Sequence, residues 1–267
     1  MDIATVVGLI LAFITIGTGM TLKGANLSAL INPAALLIIL GGTIATICIG
    51  FTTRELKKVP HMIKIALTEQ ETMSHEKLLE LLTGLVNISR REGLLSLERR
   101  LNDIDDEFLR DGISLAVDGN DSKYIKTILT DEIFAMEDRH RNGALIFTQA
   151  GTYAPTLGVL GAVIGLIAAL SNLTETDKLG VAISAAFVAT LLGIFTGYVL
   201  WHPIANKLKQ KSKREVQLRL IMLEGILAVQ EGCSVLALRQ RLNVFLSPSE
   251  RINVKEEKNE KVQKRTR

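Results

Sequence analysis

The stretch Asn142–Thr174 reads NGALIFTQAGTYAPTLGVLGAVIGLIAALSNLT, 33 residues without one Asp, Glu, Lys or Arg. A helix that crosses the ~30 Å hydrocarbon core of a bilayer needs about 20 mostly apolar residues. Three further stretches meet that condition: Ile3–Leu22, Gly24–Thr53 and Leu179–Asn206. A buried helix of a soluble protein seldom runs so far without a charge, so the hydropathy argument gives four transmembrane helices. At ~1.5 Å per residue the 142–174 run reaches roughly 50 Å, more than the lipid core requires. Part of it, and part of 179–206, is expected to leave the lipid as a helical stalk. Pro155 is expected to interrupt the third run, and Pro203 marks the cytoplasmic end of the fourth.

Around these spans the 267 residues are 48% hydrophobic and 22% charged, with 4% aromatics, a formal net charge of +3 and mean hydropathy +0.28. This is too apolar for a disordered chain. Two Cys exclude a disulfide scaffold. Four scattered His with those two Cys give no zinc spacing, so no metal and no cofactor are expected. No phosphate loop, Gly-rich dinucleotide turn or nucleophile elbow occurs, and the chain does not read as an enzyme. Asp103, Asp105, Asp106 and Glu107 cluster, but without the alternate spacing and closing Glu of an EF-hand, so they read as a solvated helix face. No nucleic-acid partner is expected. The chain opens Met1-Asp2-Ile3 with no basic region ahead of the apolar run, so the first span reads as a retained helix and not as a cleaved signal.

The charges set the orientation. Lys23 and Lys178 are the only basic residues outside 54–141 and 207–267. Arg54, Lys57, Lys58 and Lys64 follow span two, and Lys207, Lys209, Lys211, Lys213 and Arg214 follow span four. Positive loops stay in the cytoplasm, which places both termini there. The resulting organisation is transmembrane helices one and two over 1–53, with a short external loop at 23–32. A cytoplasmic helical domain over 54–141 follows. Transmembrane helices three and four occupy 142–206, with an external loop at 172–178. A cytoplasmic helix and a basic tail, disordered after Pro248, fill 207–267. The fold class is an all-α integral membrane protein.

Within 54–141 the apolar positions Leu78, Leu79, Leu81, Leu82, Leu85 and Val86 recur at three and four. Ser74-His75-Glu76-Lys77 resembles a helix start, although Lys77 stands where a strict capping box needs an acid. A second helix is expected from about Ser96 through Leu97, Leu101, Ile104 and Phe108. A third is expected over Ser122 to about Arg141, with Tyr124, Ile125, Ile128, Leu129, Ile133 and Met136 inward. Residues 205–243 continue a charged helical pattern.

Small residues mark spans three and four. Gly158, Gly161, Ala162, Gly165, Ala168 and Ala169 form one stripe, and Ala182, Ala185, Ala186, Ala189, Gly193 and Gly197 form another. Such stripes let helices approach closely, within a subunit or between subunits. The polar atoms there are hydroxyls, among them Thr152, Tyr153, Thr156, Ser171, Ser184, Thr190, Thr196 and Tyr198, which often bond back to the preceding turn. No span carries an Asp, Glu, Lys or Arg, and His202 sits at the end of the fourth. Proton-coupled membrane proteins use intramembrane ionisable groups. A chain that lacks an acid there cannot bind and release a proton at the midplane, so a partner helix would have to bring it.

The run Ala154-Pro155-Thr156-Leu157-Gly158-Val159-Leu160-Gly161-Ala162-Val163-Ile164-Gly165-Leu166 closely resembles span three of the MotA family of flagellar stator subunits, within the MotA/TolQ/ExbB proton channel group. Ala189-Thr190-Leu191-Leu192-Gly193-Ile194 and Trp201-His202-Pro203 resemble its span four. Arg90-Arg91-Glu92-Gly93-Leu94-Leu95-Ser96-Leu97-Glu98 resembles its cytoplasmic motif. The resemblance extends to about residue 246 and is greatest to Bacillus-type members. It implies a homo-oligomer, a ring of five around two copies of MotB, a single-span subunit with an intramembrane Asp. Ion flow past that Asp turns the ring, which pushes on the rotor protein FliG in chemotaxis and motility. It implies a bacterial inner or plasma membrane location. By matching position, Pro155 and Thr190 line the ion path, Pro203 is the base of span four, and Arg90 and Glu98 contact the rotor. Sodium-driven relatives carry Thr where this chain has Ala162, so the ion is expected to be a proton. A rival is the ExbB/TolQ type of energiser, which has three spans.

Overall fold

The computed structural model describes residues 3–69, 73–171 and 176–246, with the backbone alone at 176–178. Met1-Asp2, the greater part of the 172–178 loop, the Lys178 side chain and the tail beyond Pro248 lie outside the described residues. Every regular element among the described residues is helical.

Helix α1 covers Ile3–Leu22 and buries no residue. The chain turns at Gly24, whose φ of 74° suits glycine. A 3-10 turn, Leu27–Leu30, begins where Asn26 accepts the Ser28 N–H at 3.0 Å. Helix α2, Pro33–Leu36, is capped by Asn32, which accepts the Ala35 N–H at 3.1 Å. A π-helical turn, Leu37–Gly41, leads into α3, Gly42–Gly50. Short helices α4 (Thr53–Leu56) and α5 (Val59–Leu67) follow. Helix α6, His75–Glu92, begins where the Ser74 hydroxyl accepts the Lys77 N–H at 3.3 Å, a cap without the reciprocal acid.

The second predicted helix is two elements. A 3-10 segment, Leu94–Asp103, ends at the extended Ile104, and α7, Glu107–Val117, starts afresh. The break comes from the acidic cluster. Asp106 is an N-cap that accepts the Leu109 N–H at 3.0 Å, and Asp103 pairs with Arg100 at 3.3 Å. The third predicted helix does not stop at Arg141. It is one helix with span three, α8, Ser122–Leu170, 49 residues long. Pro155 lies inside it and does not interrupt it. Helix α9, Thr176–Phe195, passes through a π-helical turn, Thr196–Trp201, into α10, His202–Gln230. The pattern at 205–243 is likewise divided, at Gly232 (φ 62°), before α11, Val235–Asn243.

The chain forms two compact units. One comprises Met1–Gln70 and Arg139–Lys211, the other Glu71–Asp138 and Ser212–Arg267. The second unit has an ordinary apolar core, in which Leu78, Leu82, Leu97, Leu109, Ile113 and Ile226 are fully buried. Ser89 donates to the Val229 carbonyl at 3.1 Å, and Ser122 to Gln230 at 2.5 Å, joining α6 and α8 to the end of α10. On α8 the inner face is Ile125, Leu129, Ile133 and Met136. Tyr124 and Ile128, expected inward, are 50% and 40% exposed, because each lies one residue, or ~100°, around the helix from that stripe.

The first unit is built differently. Its buried clusters are small. One is Ala35, Ile39, Ala154 and Ala189 with Leu192 and Trp201 against them. The other is Ile146, Phe147 and Ala205 with Met62, Ile63 and Trp201. Among the described residues, four helices have the length and apolar composition to cross a membrane: Ile3–Leu22, Leu27–Gly50, Ser122–Leu170 and Leu179–Gln230.

Candidate functional site

The centre of the first unit is a seam where α8 meets α9 and the start of α10, backbone against backbone. A Cβ placed on Gly158 would stand 2.9 Å from the Ala189 carbonyl oxygen and from Gly193 Cα. One on Gly193 would stand 2.8 Å from the Ala154 oxygen and from Gly158 Cα. One on Gly197 would stand 2.7 Å from the Gly151 oxygen and 2.9 Å from the Pro155 ring. One on Gly151 would strike the His202 ring at 2.8 Å. Only glycine fits such contacts, so the Gly193–Gly197 repeat packs within the chain. The Gly161–Gly165 repeat does not. Gly161 has ordinary contacts at 3.7 Å with Ala189 and Ile38, and Gly165 has nothing within 4 Å.

Pro155 has no N–H, so it donates nothing to the Gly151 carbonyl one turn earlier. That oxygen lies against Gly197, inside the π-helical turn of the facing helix. The proline and the π turn therefore face each other, two departures from the α-helical bonding pattern at one level of the seam. π turns inside α-helices are frequent at functional sites. The sequence carries no periodic signature of the π turn.

Thr190 is half-buried, and its hydroxyl donates to the Ala186 carbonyl at 3.2 Å. The bond engages its proton and leaves the oxygen able to accept. Ala162 is 9% exposed. Thr190 and Ala162 each stand one residue beyond the Ala189–Gly161 contact, which brings them to one level of the seam. Four of the remaining hydroxyls behave as isolated helix hydroxyls do: Thr152 donates to Thr148, Thr156 to Tyr153, Ser171 to Ile167 and Thr196 to Leu192, at 2.7–3.0 Å. No group of three or more His, Cys, Asp and Glu that could hold a metal occurs among the described residues.

Pro203 does not join the seam. It is exposed and lines a cleft with Thr5 and Gly8 of α1. His202, its neighbour, turns the other way, over Gly151 and beside Tyr198, with ring centroids 5.3 Å apart. Trp201 packs on Phe147 at 6.4 Å, and its buried indole N–H has no hydrogen-bond partner.

Arg90 and Glu98 belong to the second unit. Both are exposed, Arg90 in the last turn of α6 and Glu98 in the 3-10 segment. Gly93, with φ 86°, reverses the chain between them, and the Ser96 hydroxyl closes that turn onto the Gly93 carbonyl at 2.6 Å. No ion pair joins the two among the described residues, so both charges are presented to solvent. Nearby, Arg241 donates to Glu231 at 2.6 Å. That bond raises the Arg241 pKa, while burial raises that of the Cys233 thiol.

Comparison with known proteins places this geometry. Residues 100–220 match the model of the MotA/TolQ/ExbB proton channel family, and residues 6–93 match that of the Motility protein A N-terminal region. Motility protein A of Bacillus subtilis is 56% identical over 257 residues, covering 96% of this chain and 95% of that protein. Motility protein A of Helicobacter pylori is 34% identical over 250 residues, covering 94% of this chain and 97% of that protein. Among solved structures, the flagellar MotAB stator complex from Bacillus subtilis matches with a TM-score of 0.88 at 56% identity, over 94% of this chain and 99% of that one. The C. jejuni MotAB structure matches with the same TM-score at 30% identity, over 95% and 100%. With a seam of glycines, four apolar helices and likeness along nearly its whole length, the chain belongs to the MotA/TolQ/ExbB proton channel family.

Proposed function

We propose that this chain is the membrane-ring subunit of a flagellar motor stator, which couples proton flow to rotation of the rotor. One observation supports this reading above the others: the apolar runs 3–22, 24–53, 142–174 and 179–206, which supply the membrane-crossing parts of the four helices, carry no carboxylate. A proton-coupled device assembled from them needs an acid supplied from outside, and the solved complexes of its relatives are MotAB complexes. The partner in this reading is a MotB-like single-span subunit with an intramembrane Asp. The assembly is a ring, five-fold by family expectation, in the inner membrane, with 54–141 and 207–267 in the cytoplasm together with both termini. Arg90 and Glu98 are the contacts to the rotor protein FliG. The ExbB/TolQ alternative is not favoured by a chain with four apolar helices whose residues 6–93 match the motility-protein model.

In this mechanism the partner's Asp moves past the seam. Neutral, it is compatible with a surface of Gly and Ala. Ionised, it seeks the Thr190 oxygen and water. Pro155, opposite the π turn, marks the place where the backbone has a second arrangement within reach. Each proton crossing ~100 mV releases ~2.3 kcal/mol, enough to bias such a two-state packing by tens of fold. Ala162 offers no side-chain oxygen to sodium, which is why the ion is assigned as a proton.

The test is reconstitution. Co-expression with an Asp-bearing single-span partner is expected to confer motility and proton conductance independent of sodium, and the chain alone is expected to conduct nothing. Proton conduction by the purified chain by itself overturns the reading. A strict sodium requirement overturns the ion assignment alone.

A further inference from the structure

The first unit holds a cleft of about 670 Å³ between the start of α1, the end of α5 and the junction into α10. Gly8, Leu9, Leu67, Leu200 and Ile204 make it apolar along most of its length, and Thr5, Asn206, Lys207 and Gln210 make one end polar. None of its lining residues is acidic. The Lys207 ammonium donates to the Thr5 hydroxyl, and one turn on Lys211 donates to the Ile65 and Thr68 carbonyls at the end of α5. Lys207 therefore leans from α10 towards α1 where it lines the cleft, and Lys211 leans towards α5 beyond it. A Cβ on Gly8 would meet nothing within 4 Å, so the wall there is open. The basic residues Arg54, Lys57, Lys58 and Lys64 crowd the neighbouring segment against Glu55 and Glu69.

An apolar slot that ends in a lysine, at the level where a transmembrane helix gives way to charged sequence, has the chemical order of a phospholipid. Apolar walls receive an acyl chain, and the ammonium group receives a phosphate. Its volume is that of a small-ligand pocket. We propose that this cleft is a binding site for an anionic glycerophospholipid from the leaflet on the basic side of the membrane. One acyl chain lies along Gly8, Leu9 and Leu200, with the phosphate at Lys207. The inference rests on the membrane reading of α1 and α10, which family membership supports, and not on ion coupling or rotor contact.

The full chain is purified, delipidated and exposed to dioleoyl phosphatidylglycerol or dioleoyl phosphatidylcholine, and retained lipid is counted by native mass spectrometry. Phosphatidylglycerol is expected to be retained in preference. Lys207→Gln should reduce its retention about five-fold, the equivalent of ~1 kcal/mol for one interfacial lysine. Gly8→Phe should fill the slot and lower retention of both lipids. Lys209→Gln, an exposed lysine of the same helix outside the cleft, should leave retention unchanged. Equal retention of the two lipids by the wild-type chain overturns the proposal. So does an equal loss from Lys209→Gln, which would mean diffuse attraction. Efficient cross-linking of Gly8→Cys to another copy, with no lipid retained, means that a neighbouring chain fills the cleft and also overturns it. If Gly8→Phe fails to insert, the contrast between the two lysine variants decides. None of these readouts depends on motility, so failure here leaves the stator reading untouched.

Discussion

In the unit around α6, α7 and α11, the fully buried side chains are large: Leu78, Leu82, Leu97, Leu109 and Ile113. In the unit around α1, α3 and α9, Ala35, Ala154 and Ala189 are buried beside a few large side chains such as Ile39 and Phe147, while Ile10, Phe13, Ile49 and Phe187 are 54–87% exposed. Both units are helical and both are rich in apolar residues. The difference lies in the solvent each was built against. Water drives large apolar side chains inward, so the second unit gains from apolar area removed from water. Lipid exerts no such drive, so helices in the first unit gain from close backbone approach, and glycine and alanine mark the contacts. A glycine in the seam and a leucine in the soluble core therefore do the same job.

The comparison breaks most severely at Gly193. A Cβ there meets the backbone of Ala154 and Gly158 at 2.8 Å, and backbone cannot move aside as a side-chain tip can. Gly193→Leu is expected to abolish helix pairing and, in a motility assay of the complete motor, swimming. Gly165→Ala, with open space at its Cβ, should leave the chain's own packing and its membrane level unchanged. Normal motility in Gly193→Leu would mean that the seam is not the structural equivalent of a core.

These two classes of contact were not equally legible in the sequence. Four uncharged runs read directly as spans, because a charge in lipid is costly and its absence over 20 residues is informative. Of six positions expected inward on α6 and six on α8, four are buried on each, and Tyr124 and Ile128 show that an apolar residue next to a stripe is not yet in it. Pro155 was expected to break a helix and does not. A proline removes one bond, and the glycine of the facing π turn accommodates both its ring and the carbonyl it leaves unbonded. The π turns themselves, and the division of 96–108 by the Asp106 cap, depend on bonding choices that composition does not record. Of the candidate site, the resemblance named Pro155, Ala162 and Thr190 as ion-path residues, while the backbone contacts that set Pro155 against Gly197 had no counterpart in the sequence. That Pro203 points into a separate cleft had no sequence signal at all.

Ile226 tests the soluble half of the comparison. It is fully buried, and its Cδ1 stands where a Cβ on Gly112 would collide with it, so this glycine makes room for an isoleucine and not for a backbone. Ile226→Ala is expected to destabilise the second unit by about 3 kcal/mol, the usual cost of removing a large buried aliphatic side chain. Thermal unfolding of the full chain in detergent, followed by circular dichroism, should show a lowered transition for part of the helix signal only. A shift of the whole signal would show that the two units do not melt separately.

A smaller effect is expected at Arg219. Its guanidinium donates to Glu132 at 2.9 Å and stands over the Phe108 ring at 5.0 Å, with side-chain exposures of 25% for Arg219 and 43% for Glu132. Solvent reaches both partners, so the ion pair contributes little by itself, and the ring contact adds a comparable amount. Arg219→Ala should cost about 1 kcal/mol in the same melting experiment, and Glu132→Gln less. A loss equal to that of Ile226→Ala would place a surface contact on the footing of the core and erase the distinction drawn here.

The smallest effect concerns the segment that follows the Leu27–Gly50 apolar helix. The Glu55 carboxylate accepts the Thr52 hydroxyl at 2.7 Å and the Thr52 N–H at 2.9 Å, so it caps α4 from its third position. The hydroxyl bond first, and the backbone bond second, hold the Glu55 pKa below the ordinary carboxylate value. A carboxyl with a depressed value in the folded chain stabilises it above the unfolded pKa of ~4.3, and that contribution is lost as the pH falls through the lowered folded value. Amide hydrogen exchange at Thr52, corrected for its intrinsic pH dependence, should therefore show protection that is constant near neutrality and declines in acid. Glu55→Gln, which keeps an acceptor but no charge, should show weaker protection with no decline over the same range. A wild-type profile indistinguishable from that of Glu55→Gln would mean that the carboxylate's charge contributes nothing to the cap.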